Sequence, residues 1–140
     1  LEVNPLPMKE SSLQGSKKVL ILEDEIELQR VFAKFLEFGG HHPVVVGDGS
    51  MAVQAYAEAL RQNSPFDFVI FDLTISGGMG GAETMHRLKE SYPEIQGIVT
   101  SGYSETSVMA HPEEYGFGAV LQKPFTMQEL ETAIIQILKQ

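Results

Sequence analysis

The sequence predicts an α/β fold, a doubly wound five-stranded parallel sheet with helices on both faces. Three observations carry this. Five short apolar runs recur along the chain, and a stretch with helical spacing follows each of them. The runs are also apolar at successive positions rather than at alternate ones. A strand that is apolar at every position is buried on both faces, as in a parallel sheet sandwiched between helices. Parallel neighbours need a crossover, and right-handed crossovers distribute the helices over the two faces.

Residues 1–16 carry two prolines and a polar Ser/Gly stretch without periodicity. They read as a linker or the end of a preceding domain, leaving 17–140 as the globular unit. The first strand is Val19-Leu20-Ile21-Leu22, with a helix expected over about 25–38. Val44-Val45-Val46 is followed by a helix over about 50–62, and Phe68-Val69-Ile70-Phe71 by one over about 81–91. Ile98-Val99 precedes a helix over about 104–115, which contains Pro112. Proline lacks the N–H for the helical ladder and clashes with the preceding turn, so this helix is expected to be short or irregular. Ala119-Val120-Leu121 and a helix over 127–138 close the series. That last helix has the clearest signature. Met127, Leu130, Ile134, Ile137 and Leu138 form one apolar stripe, and Thr126-x-x-Glu129 is a capping box at its start.

Composition bounds the function. At 140 residues the chain fits one domain able to bury about two thirds of its unfolded surface. It is 43% hydrophobic and 21% charged, a globular balance. The absence of cysteine removes disulfides, thiolate metal sites and cysteine nucleophiles together. A net charge of −9, from 19 acidic and 10 basic residues, opposes direct binding to nucleic acid or to an anionic membrane. No apolar run is long enough to span a bilayer and no signal-peptide pattern opens the chain, so a cytoplasmic location is expected.

In open α/β sheets, ligands bind beyond the carboxyl ends of the strands. Those ends carry Glu23-Asp24 after the first strand, Asp72 after the third, Thr100-Ser101 after the fourth and Lys123-Pro124 after the fifth. The flavodoxin-like strand order 2-1-3-4-5 sets the first and third strands side by side. Glu23, Asp24 and Asp72 then share one pocket. Like charges this close need a proton or a cation between them, and hard oxygen ligands favour Mg²⁺. Lys123 would add an ammonium and Thr100 a hydroxyl donor. A carboxylate nucleophile, a metal, an ammonium and a hydroxyl suit phosphoryl transfer, where positioning and charge neutralisation do most of the catalysis.

Taken singly, these residues have plainer readings. An Asp at a strand end is commonly a helix cap, and Asp24 with Glu27 would complete a capping box. Lys123 alone is a solvated lysine beside a turn-forming proline. Gly77, Gly78, Gly80 and Gly81 follow a strand and precede a helix, but their spacing fits neither GxGxxG nor GxxxxGK. A haloacid-dehalogenase-like phosphatase would need Asp-x-Asp-x-Thr, and Thr74 stands at the second acid. His41, His42, His86 and His111 lack metal-ligand spacing and read as surface or loop residues.

The set as a whole resembles the receiver domains of two-component response regulators, over about residues 17–139. The resemblance rests on Leu22-Glu23-Asp24-Glu25, Phe71-Asp72-Leu73-Thr74, Val99-Thr100-Ser101-Gly102-Tyr103 and Lys123-Pro124-Phe125, in that order. It implies that Asp72 is the phosphoacceptor, loaded by a histidine kinase or phosphotransfer domain with Mg²⁺ bound. It implies Glu23, Asp24, Asp72 and the Thr74 carbonyl as metal ligands, with Asp24 direct and Glu23 acting through water. Thr100 becomes the switch hydroxyl, Lys123 the phosphate-contacting lysine, and Lys123-Pro124 a candidate cis bond. Such a domain promotes its own phosphorylation and dephosphorylation without being a turnover enzyme.

Three departures from the family pattern fall on segments that usually carry the signal. Ser76 stands where Asp-Leu-x-x-Pro would place proline, in a loop rich in glycine and expected to be mobile. Val120 occupies the position of the aromatic switch, and Pro112 interrupts the fourth helix. These favour one alternative, a pseudo-receiver that binds proteins without being phosphorylated. The loop variant and Thr100-Ser101-Gly102-Tyr103 are similar to receivers of hybrid sensor histidine kinases. Leu1 to Pro7 resembles the last strand of a kinase ATP-binding domain.

Overall fold

The computed structural model describes residues 15–103 and 106–139. The strands are β1 (Lys18–Leu22), β2 (His42–Val46), β3 (Phe68–Asp72), β4 (Gly97–Ser101) and β5 (Ala119–Gln122). All pair in parallel, in the order β2-β1-β3-β4-β5. The helices are α1 (Ile26–Phe38), α2 (Gly49–Arg61), α3 (Gly81–Ser91), α4 (Ser107–Ala110) and α5 (Met127–Leu138), with a 3₁₀ turn at Pro112–Tyr115. The predicted fold class and strand order are both observed. The leader reading falls largely on residues 1–14, outside the described residues.

The central strands alternate between two cores. Val19, Ile21, Phe68, Ile70 and Ile98 pack with Phe32 and Leu36 of α1 and with Leu130, Ile134 and Ile137 of α5. Leu20, Leu22, Val69, Phe71 and Val99 point the other way, against Ala52 and Tyr56 of α2, Met85 and Leu88 of α3 and Met109 of α4. This two-sided burial is the physical meaning of the continuous apolar runs. It fails at the edges. Val44 in β2 and Val120 in β5 are 37% and 40% exposed, because an edge strand has a neighbour on one side only. In β5, Ala119 and Leu121 face the α5 core, while Val120 and Gln122 are turned to the face where α4 is a single turn.

Pro112 has the effect expected of it. Where one helix was predicted over 104–115, α4 ends at Ala110, and Pro112 starts the 3₁₀ turn, which Gly116 closes at φ 92°. The α5 capping box forms as predicted: the Thr126 hydroxyl accepts the Glu129 N–H, and the Glu129 carboxylate accepts the Thr126 N–H. The cap reading of Asp24 does not hold. Glu25 is the N-cap residue of α1 without a side-chain cap bond, and Asp24 is engaged elsewhere. His41 lies in a loop as expected but is buried rather than on the surface, its Nδ1 accepting the Lys17 N–H at 3.1 Å.

Candidate functional site

The sheet places its polar residues by running the parallel ladder slightly past the strand ends. Glu23 N–H donates to the Val46 carbonyl at 3.0 Å, Leu73 N–H to Thr100 at 3.0 Å, and Lys123 N–H to Ser101 at 2.9 Å. Asp72 pairs with Thr100 in the β3–β4 register. The backbone on both sides of the pocket is therefore fixed by the same hydrogen bonds that define the sheet. Close helix packing finishes the job. A Cβ on Gly81, the first residue of α3, would lie 2.5 Å from the Asp72 carbonyl oxygen, so only glycine lets α3 start there.

Glu23, Asp72 and Thr100 are 0%, 1% and 0% exposed. One ligand oxygen from each of Glu23, Asp24 and Asp72 lies within 4.8 Å of the others, with Asp24 half-buried. Lys123 Nζ reaches Glu23 Oε1 at 3.0 Å and Asp72 Oδ2 at 3.2 Å. One oxygen of each carboxylate is also held by backbone. Glu23 Oε2 accepts the Glu25 N–H at 3.1 Å, Asp72 Oδ1 the Thr74 N–H at 3.1 Å, and Asp24 Oδ2 the Ser76 N–H at 2.9 Å. The Lys123-Pro124 bond is cis.

The electrostatics are unbalanced. Burial pushes the Glu23 carboxyl above its ordinary value and the Asp72 charge adds to this, against the Glu25 N–H and Lys123. Burial alone would lower Lys123, but its bonds and charge contacts with Glu23 and Asp72 outweigh that and raise it. Three carboxylates thus face one ammonium in a largely buried space. Beside them the Thr100 hydroxyl is buried with no hydrogen-bond partner, among the described residues. An orphaned buried donor is costly unless something completes it. The donor set fits a hard divalent cation together with an anion that offers oxygens to Thr100 and Lys123.

Glu23, Asp24, Asp72 and Lys123 lie together, Thr100 stands opposite Asp72 in the β3–β4 register, and Thr74 meets Asp72 through its N–H rather than through the carbonyl expected to face a metal. Two contributors were not foreseen. Gln29 Nε2 donates to the Glu23 carbonyl at 2.7 Å, one turn into α1. Ser76 N–H holds Asp24, and the signal for it was present: where proline is expected, any other residue has an N–H to give. The glycine-rich loop, expected to be mobile, is anchored there and at Met79, whose carbonyl accepts the Gly49 N–H at 3.0 Å. Outside the pocket, His111, Glu113 and Glu114 also gather, all of them exposed.

The family model of the response regulator receiver domain matches residues 19–135. The chain is 28% identical over 132 residues to the sensor kinase CckA of Brucella abortus, covering 94% of this chain but 13% of that protein. It is 25% identical over 122 residues to the response regulator receiver protein CpdR of the same organism, covering 87% of this chain and 97% of that one. Sporulation initiation phosphotransferase F of Bacillus subtilis is 24% identical over 123 residues, with 88% and 94% covered. A putative response regulator from Chloroflexus aurantiacus superposes with a TM-score of 0.79 at 21% identity, covering 89% of this chain and 99% of that one. A CheY-like receiver domain protein from Methanospirillum hungatei gives 0.76 at 21% identity, covering 89% and 95%. At these identities the superpositions establish the fold.

Proposed function

This chain belongs to the response regulator receiver domain family of two-component signalling, and on that premise we propose that it is an aspartyl-phosphate switch. The phosphoryl group would come from a phosphohistidine on a histidine kinase or phosphotransfer domain. The observation that carries the reading is the Asp72 carboxylate, buried at the end of β3 between Lys123 and the orphaned Thr100 hydroxyl.

An Asp72 oxygen attacks phosphorus, forming the acyl phosphate as the P–N bond to the donor imidazole breaks. The departing imidazole nitrogen keeps the electron pair and takes a proton. Thr74 N–H and Lys123 fix the two Asp72 oxygens before the reaction, so little orientation is lost in reaching the attacking geometry. Lys123 then supplies positive charge to the phosphoryl oxygens, and Thr100 gains the acceptor it lacks. Glu23, Asp24, Asp72 and the Thr74 carbonyl would hold Mg²⁺, which when bound neutralises the acidic cluster and phosphoryl charge.

Incubation with Mg²⁺ and a small phosphodonor such as acetyl phosphate should add one phosphoryl group by intact mass. Asp72→Asn should add none, and normal labelling of that variant would sink the assignment. Neither labelling nor Mg²⁺ binding by the wild type would support the protein-binding pseudo-receiver instead. Likeness to part of a sensor kinase also supports reading this receiver as joined to a kinase chain. An ATP-binding domain encoded directly upstream bears this out; a start codon at the head of this segment refutes it.

A further inference from the structure

Asp24 is held differently from the other two carboxylates of the pocket. Glu23 and Asp72 both lean on Lys123, whereas Asp24 Oδ2 takes the Ser76 backbone N–H at 2.9 Å across 52 residues of sequence. The donor exists because residue 76 is not proline; the residue expected at this place has no N–H.

The loop that presents this donor is braced beyond it. Gly77 adopts φ 73°, a left-handed conformation that favours glycine. Gly78 packs on Asp48, the cap of α2, so closely that a Cβ would lie 3.0 Å from the Asp48 Cβ. Met79 then gives its carbonyl to Gly49 N–H at 3.0 Å. Ser76 N–H is thus offered to Asp24 by a strap running from the end of β3 to the start of α2.

One carboxylate oxygen bound to a backbone donor leaves the other, Oδ1, without a hydrogen bond from Ser76, in a side chain that lies within ligand distance of Glu23 and Asp72. The side chain is ordered before a cation arrives, so less ordering has to occur on binding. We propose that the Ser76 N–H is a positioning group for Asp24 and sets the affinity of the acidic pocket for a divalent cation. The proposal rests on the reading of that pocket as a cation site. Because coupling is reciprocal, cation binding tightens the strap and slows hydrogen exchange at Ser76 and Gly49.

Two measurements test it. In cation-free protein, the Ser76 amide should be protected from hydrogen exchange in wild type and in Ser76→Ala, and lose protection in Asp24→Ala. Fast exchange at Ser76 in the wild type overturns the hydrogen bond itself. In calorimetric Mg²⁺ titration, Ser76→Ala, which keeps the N–H, should bind like wild type. An amide-to-ester replacement at residue 76, which exchanges the N–H donor for an oxygen and keeps the side chain, should bind roughly tenfold more weakly, as loss of an outer-shell partner does. Unchanged affinity of the ester overturns the proposal, and so does weakened binding by Ser76→Ala, which would assign the effect to the hydroxyl. A wild type protected at Ser76 yet binding no Mg²⁺ would refute the cation reading of the pocket, and the affinity role with it.

Discussion

Lys123 holds two buried carboxylates at once, 3.0 Å from Glu23 and 3.2 Å from Asp72, with its own side chain 16% exposed. Such a group does less to add net stability than to prevent a penalty, because deleting it leaves like charges facing each other in a desolvated space. Lys123→Met should therefore lower unfolding free energy by about 3 kcal/mol in urea melts, and added Mg²⁺ should restore part of the loss. His41 sits at the other end of the sheet. Burial lowers its pKa, Lys17 and His42 act in the same direction, and Glu131 and Asp67 oppose them. Its Nδ1 must stay unprotonated to accept the Lys17 N–H. A folded pKa below the ordinary 6.5 means that the unfolded chain binds the extra proton more readily. The stability it contributes is complete above 6.5 and is lost as pH falls through the window beneath that value. Urea midpoints taken from about pH 7 to about pH 5 should fall less steeply for His41→Gln than for wild type.

At the scale of elements, the start of α3 is a close joint of backbone on backbone. The clash that a Gly81 Cβ would make is with the Asp72 carbonyl, backbone against backbone, so no side-chain rotation relieves it. Gly81→Ala should cost about 1–3 kcal/mol in chemical denaturation and slow phosphoryl uptake by displacing Asp72. A variant with wild-type stability and labelling would show that α3 can slide away freely. The region of β5 and α4 shows how one element sets the exposure of another. Pro112 divides α4 from the 3₁₀ turn, the sheet face beside it is left thinly covered, and Val120 is consequently open to solvent. With valine there, no aromatic rotamer can report on the pocket.

For the whole molecule, a net charge of −9 and a pocket of three carboxylates act in the same direction. Both draw cations, and a cation bound only by the folded state stabilises it. At Mg²⁺ a hundredfold above its dissociation constant the gain should be about 2.7 kcal/mol, read as a rise in Tm. Asp24→Ala should abolish that rise, and raising ionic strength should weaken Mg²⁺ binding by screening the acidic surface. A Tm unmoved by Mg²⁺ in the wild type would refute the site. Among the described residues no helix is long and apolar enough to cross a membrane.

Much of this was legible in the residues alone. Continuous apolar runs such as Phe68 to Phe71 imply burial on both faces, and that fixes a parallel sheet with its polar residues gathered at one end. Local chemistry was equally plain where it depends on near neighbours, as in the Thr126–Glu129 box and the break at Pro112. Position in the sheet was harder to read. Val44 and Val120 are as β-branched and apolar as the valines of the central strands, yet they are exposed, because only the assembled strand order makes them edges. His41 looks like its neighbour His42 in sequence, but the two differ in burial, since one faces inward under Lys17. The sequence by itself determined the fold class and the polar residue types standing at the strand ends, since both follow from residue type and order. Only the tertiary structure decided that the Thr100 hydroxyl lacks a partner among the described residues, that Lys123 spans two carboxylates, and that Ser76 holds Asp24. Those depend on angles and distances between segments some 50 to 100 residues apart, which no local preference encodes.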